Sequence, residues 1–135
     1  MSMASFRLQI VTPDGCFYDG EAEKLCLRST MGEIGILANH IDIVTALGMG
    51  EARITQNGET KKAACMGGML AVTGGEVKVV ATTFEWAEQI DAKRAKAAEA
   101  RARAVLEDKS KSAKELKIAE ARLKRALIRQ SVAKG

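Results

Sequence analysis

The chain has 135 residues, of which 47% are hydrophobic and 28% are charged, and this composition is typical of a globular protein and excludes a disordered one. No uncharged stretch approaches the ~20 apolar residues of a membrane-spanning helix, and the N-terminal residues lack the pattern of a secretory signal. The cysteines are odd in number and form no CxxC pair, which argues against a disulfide framework or a zinc site and indicates a reducing compartment. We expect Cys16, Cys26 and Cys65 to be buried and to pack as small apolar side chains.

Charge and glycine divide the chain into two parts. Residues 1–84 carry 7 Lys and Arg against 9 Asp and Glu, whereas residues 85–135 carry 14 against 8. Of the 12 glycines, 11 lie before residue 76. We therefore predict a glycine-punctuated domain over residues 1–84 and a basic, helix-forming domain over residues 85–135.

The first part has the alternating pattern of short strands separated by turns. Asn57-Gly58 and Gly74-Gly75 lie between such segments and are strong hairpin signals. Many short strands with frequent turns are typical of a sandwich or a barrel. The predicted strands are Ser5–Thr12, Cys16–Tyr18, Glu21–Arg28, Ile34–Leu37, Ala52–Gln56, Lys61–Met66, Met69–Thr73 and Glu76–Thr83.

The second part is rich in Ala, Glu, Lys and Arg and predicts two antiparallel helices, Glu85–Leu106 and Ala113–Val132, joined by a polar loop. Six alanines would let the two backbones approach closely, namely Ala87, Ala97, Ala98, Ala102, Ala119 and Ala126. Large apolar side chains are few, and most helical stability comes from tertiary packing. We expect this hairpin to move or to need a partner.

Arginines recur at helical spacing in this hairpin. Asp91, Arg94 and Arg101 share one stripe of the first helix, and Arg125 and Arg129 lie four apart on the second. Packed together, the helices would bring four guanidinium groups around one point, where phosphate oxygens would suit them. Two alternatives stay open: a solvated basic face with local ion pairs, and a nucleic-acid-binding hairpin, although Trp86 is the only aromatic residue after residue 84.

Six short segments carry a family resemblance through their order and spacing. They are Leu8–Pro13, Gly32–Leu37 with His40, Gly67–Val72, Glu76–Ala81, Ala87–Asp91 with Arg94-Ala95, and Lys124–Ala126. With these segments the chain resembles the epsilon subunits of bacterial rotary F-type ATP synthases along essentially its whole length.

The resemblance implies an α+β fold, mainly β at the front, with an N-terminal sandwich of about ten strands followed by a C-terminal antiparallel two-helix hairpin. It implies a non-catalytic central-stalk subunit, not an enzyme on its own, that couples proton transport to ATP synthesis and inhibits ATP hydrolysis through its helices. The implied partners are the gamma subunit, the c-subunit ring and, when the hairpin extends, the alpha and beta subunits of the catalytic head. We expect no nucleic acid, no direct membrane insertion, and a place at the cytoplasmic face of the bacterial cell membrane.

The resemblance assigns a contact with the rotor ring to Glu33 and His40. The alternatives are a solvated turn carboxylate for Glu33 and a neutral loop histidine with one hydrogen bond for His40. The chain has Ala38-Asn39 where the family often has Pro-Gly. Asn tolerates a left-handed backbone, so we expect the turn to survive.

A second resemblance concerns ATP, which some of these subunits bind as a regulatory ligand through an Ile/Leu-Asp-x-x-Arg-Ala motif. Here the motif is Ile90-Asp91-Ala92-Lys93-Arg94-Ala95. The resemblance adds Glu85 as a supporting carboxylate and the arginines Arg101, Arg125 and Arg129. ATP, with or without magnesium, would favour the compact, non-inhibitory form, and no metal cofactor is expected. The alternative is an ion pair between Asp91 and Arg94 with no nucleotide.

Overall fold

A computed structural model describes residues 4–134 of the chain. These residues form eight β-strands, a short 3-10 helix at Ala87–Gln89 and two α-helices. The strands are β1 Phe6–Thr12, β2 Gly15–Ala22, β3 Lys24–Ser29, β4 Gly32–Leu37, β5 Ile43–Gln56, β6 Glu59–Thr73, β7 Glu76–Ala81 and β8 Phe84–Trp86, and the helices are α1 Ala92–Glu107 and α2 Ala113–Lys134. The α+β class, mainly β at the front with a C-terminal helical pair, is confirmed, and the described strands number eight where about ten were expected.

The strands form one hydrogen-bonded network in the order β2-β1-β7-β6-β5-β3-β4, with β8 paired to β6. β1 lies parallel to β7, and the other pairs are antiparallel. Strands from opposite ends of this order contribute to one hydrophobic core, so the network folds over on itself as a sandwich. The largest fully buried side chains of this core are Leu8, Ile10, Leu25, Leu27, Ile36, Leu70, Val72 and Val79.

The long strand β6 serves both layers because it changes partners at its middle. Gly68 pairs with Ala81 of β7, whereas Cys65 pairs with Phe84 of β8. Gly68 has a φ of 139°, and a Cβ there would lie 2.0 Å from the carbonyl oxygen of Val80. Only glycine lets the two backbones approach this closely at the bend.

Both predicted hairpin turns are confirmed. Gln56 pairs with Glu59 around Asn57 and Gly58, whose φ angles are 53° and 77°. The Gly74-Gly75 turn likewise has positive φ at both residues. Such φ values match the twist of the flanking antiparallel strands.

The strand boundaries differ from the predicted ones in several places. The predicted strands Lys61–Met66 and Met69–Thr73 form one continuous strand, β6. The predicted strand Glu21–Arg28 is divided between β2 and β3. Residues 43–51 were not predicted as a strand, yet they form the first part of β5. Gly48 and Gly50 interrupt the apolar pattern there, and the pairing with β6 maintains the strand.

The prediction of a helix from Glu85 was wrong at its start. Phe84–Trp86 is strand β8, and α1 begins at Ala92. The Phe84 and Trp86 rings pack around Phe17, with centroids 4.9 Å and 5.2 Å from its ring. Aromatic residues favour a half-buried strand, and this packing outweighs the local helix propensity.

The chain divides into two compact units, one ending at Trp86 and the other beginning at Ala87. In the second unit, α1 and α2 pack against each other as a hairpin. The small residues Ala102, Ala119 and Ala126 are buried, as expected for closely approaching backbones, whereas Ala97 is exposed.

The cysteine prediction was correct for two of the three positions. Cys26 and Cys65 are buried free thiols, and burial raises the pKa of Cys65. Cys16 is exposed, contrary to expectation, because its side chain lies in the outer strand β2. Residues 4–134 contain no helix long and apolar enough to cross a membrane.

Candidate functional site

Asp91 caps the N-terminus of α1. Its backbone is extended, and its Oδ1 accepts a hydrogen bond from the backbone N–H of Arg94 at 3.0 Å. Asp91 therefore precedes the helix and does not share its stripe. Within residues 4–134 its contact with Arg94 is this bond from side chain to backbone, and no ion pair joins the two side chains.

A capping box begins α2. Ser112 Oγ accepts from the backbone N–H of Glu115 at 3.2 Å, and the Glu115 carboxylate accepts from the Ser112 N–H at 3.3 Å. This S-x-x-E arrangement satisfies N–H groups that lack helical partners. The pKa of Glu115 is lowered, chiefly by the hydrogen bond from the Ser112 N–H and further by the Ser112 hydroxyl and by Lys111.

A polar contact holds the two helices together. The Gln130 amide donates to Glu99 Oε1 at 2.8 Å, and Arg103 Nε donates to Glu99 Oε2 at 2.8 Å. The pKa of Glu99 is lowered, chiefly by the hydrogen bond from Gln130 and further by the hydrogen bond from Arg103. Each oxygen of the Glu99 carboxylate therefore accepts one of these hydrogen bonds.

A basic cleft lies between α1 and α2, with a volume of about 610 Å³, and we call it the hairpin cleft. Its charged lining has five cations and one carboxylate, and the rest of the lining is alanine, valine and isoleucine. The charged residues are Arg101, Lys111, Glu115, Arg122, Arg125 and Arg129. A cleft with this excess of positive charge suits a multiply charged anion.

The structure brings together three of the four arginines that the sequence singled out. Arg101 lines the hairpin cleft from α1, and Arg125 and Arg129 line it from α2. Arg94 is exposed in the first turn of α1 and is not part of the lining.

The remaining members of the expected ATP set lie elsewhere. Ile90 is half-buried just before the Asp91 cap, and its N–H donates to the Ala87 carbonyl at 3.3 Å. Glu85 is a half-buried residue of β8, opposite Ala64, and so belongs to the other compact unit.

Sequence reasoning missed three charged residues of the lining, which are Lys111, Glu115 and Arg122. Arg122 precedes Arg125 by three positions, so the same periodicity that joined Arg125 to Arg129 was sufficient to find it. Lys111 lies in the loop, where helical periodicity does not apply. Across residues 4–134, no group of His, Cys, Asp or Glu side chains has the arrangement that would hold a metal ion.

The second candidate region is the segment around Glu33 and His40. His40 closes a turn in which its N–H donates to the Leu37 carbonyl at 3.3 Å. Asn39 has a φ of 64°, which is the left-handed conformation expected of the residue that stands where the family often has Gly. The turn is therefore present without the Pro-Gly pair. His40 Nδ1 lies 2.7 Å from the carbonyl oxygen of Ile41 and forms one hydrogen bond within this loop.

Glu33 lies in strand β4 and not in a turn. Its carboxylate forms an ion pair with Arg53 of β5, and Arg53 Nη1 donates to Glu51 at 2.9 Å. The pKa of Arg53 is raised, chiefly by its hydrogen bond to Glu51 and further by its hydrogen bond and ion pair with Glu33. Glu33 is therefore part of a charged row on the outer face of the sheet, which still leaves half of its side chain exposed.

Comparison with known proteins identifies the family. Residues 5–87 match the family model described as "ATP synthase, Delta/Epsilon chain, beta-sandwich domain". The chain is 40% identical over 130 residues to the ATP synthase epsilon chain of Caldanaerobacter subterraneus subsp. tengcongensis, covering 96% of this chain and 94% of that one. The chain belongs to the ATP synthase epsilon chain family.

Two further relatives in this family match over nearly full length. The epsilon chain of Shouchella clausii is 38% identical over 132 residues, with 98% and 97% of the two chains covered. That of Bacillus velezensis is 40% identical over 131 residues, with 97% and 98% covered. As a member of the family, the chain is a non-catalytic subunit of an ATP synthase.

Solved structures match the same fold. A chain of the mitochondrial ATP synthase of Euglena gracilis, in a structure of its OSCP, F1 and c-ring, has a TM-score of 0.84 at 20% identity, with 97% of this chain and 83% of that one covered. A chain of the central stalk and c-ring structure of Tetrahymena thermophila mitochondrial ATP synthase has a TM-score of 0.62 at 13% identity, with 98% and 99% covered.

Proposed function

We propose that this epsilon-family subunit belongs to the central stalk, couples proton transport to ATP synthesis and inhibits ATP hydrolysis through its two C-terminal helices. The observation that carries the proposal is the 40% identity to an ATP synthase epsilon chain over both units of the chain. The similar chains of Euglena and Tetrahymena come from structures that include a c-ring. The subunit would act at the cytoplasmic face of a bacterial cell membrane.

The proposed partners divide between the two units. The sandwich would bind the gamma subunit and the c-ring, and Glu33 and His40 would face polar loops of the ring. Met31 and Ile41, at 93% and 78% exposure, lie close in sequence to Glu33 and His40 respectively and would add apolar area to such a contact. The hairpin would bind the alpha and beta subunits when it extends.

The weak packing of the hairpin supports a change of its position. Its buried side chains are small, mainly the alanines at the helix crossing. Burial of an alanine removes little apolar area, and hydrophobic stabilisation follows that area. Since α1 and α2 are held to each other by small contacts and the Glu99–Gln130 bond, little energy is needed to change how they pack when the hairpin binds another surface.

We also propose that ATP binds the hairpin as a regulatory ligand. Arg101, Arg125 and Arg129 line one cleft, and guanidinium groups bind phosphate oxygens in bidentate geometry. Arg94 would join them by a side-chain movement, and Asp91 and Glu85 would accept hydrogen bonds from adenine or orient the guanidiniums. ATP would thereby join α1 to α2.

ATP bound in this way would favour the compact, non-inhibitory form of the subunit. A ligand shifts a two-state equilibrium only by its difference in affinity for the two states. Since the proposed ligand groups come from both helices, a state that keeps the helices paired binds ATP better than one that separates them. Hydrolysis would then be inhibited when cellular ATP falls.

Two measurements test this proposal. Calorimetric titration of the full chain with ATP, with and without magnesium, should give saturable one-to-one binding that Arg125→Gln weakens. Lys117→Gln is the matched control, because Lys117 is an exposed α2 cation outside the cleft. The chain should also lower ATP hydrolysis by an epsilon-depleted complex, and a chain that neither binds gamma nor changes hydrolysis contradicts the stalk role.

A further inference from the structure

We propose that the hairpin cleft binds an oligophosphate chain that extends toward the inter-helix loop, with Arg122 and Lys111 as further phosphate ligands. The proposal builds on the nucleotide site proposed above and adds two residues outside its motif. Both residues line the cleft with Arg101, Arg125 and Arg129. The relevant chemistry is a linear chain of phosphoryl groups, carried by a nucleotide or free in solution.

The arginines of α2 form a single row along the cleft. Arg122, Arg125 and Arg129 follow the spacing i, i+3, i+7, which keeps them within a narrow arc of the helix and spreads them over about 10 Å along its axis. Arg101 faces the same cleft from α1. The row is therefore long enough for successive phosphoryl groups to meet successive guanidiniums.

Small side chains on α1 make room for such a ligand. Ala98 and Ala102 line the cleft beside Arg101, one helical turn apart. Long side chains at these two positions would fill the space between Arg101 and the arginine row of α2. The alanines instead leave the space beside the arginine row of α2 open to a linear anion.

The charges of the cleft are not balanced by its own carboxylates. Within residues 4–134, Arg101, Arg122 and Arg125 form no ion pair. The one lining carboxylate, Glu115, accepts from Ser112 and forms its ion pair with Lys111, so it neutralises none of these three arginines. Like charges three or four residues apart destabilise a helix, so an anion seated in this row removes a repulsion as well as adding contacts.

Lys111 marks the end of the cleft at the loop. Its Nζ lies 3.7 Å from Glu115 Oε2, a long contact that leaves other ammonium donors available. The side chain is 36% exposed, so it reaches the cleft without being locked in it. Lys111 is positioned to bind the phosphoryl group farthest from the Asp91 end of the hairpin.

The test is a calorimetric titration of the full chain with ATP, inorganic tripolyphosphate and pyrophosphate. Arg122→Gln should weaken binding of ATP and tripolyphosphate about tenfold, as expected for loss of one charge-assisted contact. Lys117→Gln, with the same change of charge outside the cleft, should leave both affinities within twofold. Lys111→Gln should weaken tripolyphosphate more than pyrophosphate, because only the longer chain reaches the loop.

The outcomes separate this inference from the nucleotide proposal. ATP binding that Arg122→Gln leaves within twofold, in a variant of unchanged helicity, overturns the role of Arg122 and keeps the nucleotide site. Tripolyphosphate binding that depends on Arg122, without ATP binding, supports the oligophosphate cleft and contradicts the nucleotide proposal. Equal losses in Arg122→Gln and Lys117→Gln indicate non-specific attraction and overturn the inference.

Discussion

Gln130 donates a hydrogen bond to Glu99 across the helical hairpin, with 2.8 Å between the amide nitrogen and Oε1. Arg103 donates to the other oxygen of the same carboxylate at 2.8 Å. The Gln130 bond joins the later half of α2 to the middle of α1, whereas the Arg103 bond lies within α1 and holds the carboxylate in place. Both bonds are stronger to an ionised acceptor than to a protonated one. The pairing of the two helices is therefore linked to the charge of one carboxylate.

Acidification should loosen the hairpin. The folded-state pKa of Glu99 is lowered, chiefly by Gln130, and the pKa values of Asp108 and Glu115 are lowered by their Ser110 and Ser112 partners. A lowered folded pKa stabilises the fold above the unfolded pKa of about 4 and loses that contribution as pH falls through the folded value. Helical circular dichroism should therefore decrease below about pH 4.

The control for this titration is Glu99→Gln, which should retain less helix at neutral pH and lose less on acidification. The acid-dependent loss that remains in this variant would come from Asp108 and Glu115. Helicity that stays constant in both proteins down to about pH 2 would contradict the linkage, since that pH lies well below the unfolded pKa of about 4, where the stabilisation from a lowered folded pKa is being lost.

Asp91→Ala should destabilise α1 by about 1 kcal/mol, because the first turn loses the acceptor for the Arg94 N–H. Asp91→Asn should retain most of that stability, since an amide oxygen also caps a helix. Urea unfolding followed by helical circular dichroism distinguishes the two variants. Equal losses in Asp91→Ala and Asp91→Asn would show that the carboxylate charge, and not the cap, matters for the fold.

Gly68→Ala should destabilise the sandwich by on the order of 3 kcal/mol. The added Cβ meets the Val80 carbonyl at 2.0 Å, and the φ of 139° is unfavourable for alanine. Gly35→Ala is the matched control, because a Cβ there has no neighbour within 4 Å. Thermal unfolding should separate the two variants clearly, and similar melting temperatures would contradict the steric role assigned to Gly68.

Only Cys16 should react rapidly with a thiol-alkylating reagent in the folded chain. Cys16 is exposed, whereas Cys26 and Cys65 are buried and the pKa of Cys65 is raised by that burial. A buried, protonated thiol is a poor nucleophile. Mass spectrometry should find one modification under native conditions, none in Cys16→Ser, and further ones only after unfolding. Rapid native modification of Cys65 would contradict the buried core.

Local patterns in the sequence were sufficient for the main divisions of this molecule. Alternation and turn chemistry predicted the hairpins at Asn57-Gly58 and Gly74-Gly75, and both are present. Helical spacing predicted that Arg125 and Arg129 share a face, and both line one cleft. These features depend on residues at most a few positions apart, where propensity and periodicity act directly.

Only the tertiary structure decided the features that depend on distant partners. Phe84–Trp86 is a strand because β6 and Phe17 are beside it, although the local composition favours a helix. Likewise, Lys111 joins the cleft through the path of the loop, while Arg94, an expected site residue, lies outside the lining. Sequence by itself determined which residues repeat along each element, but pairing between elements determined which of them meet, because burial and long-range contacts outweigh local preference.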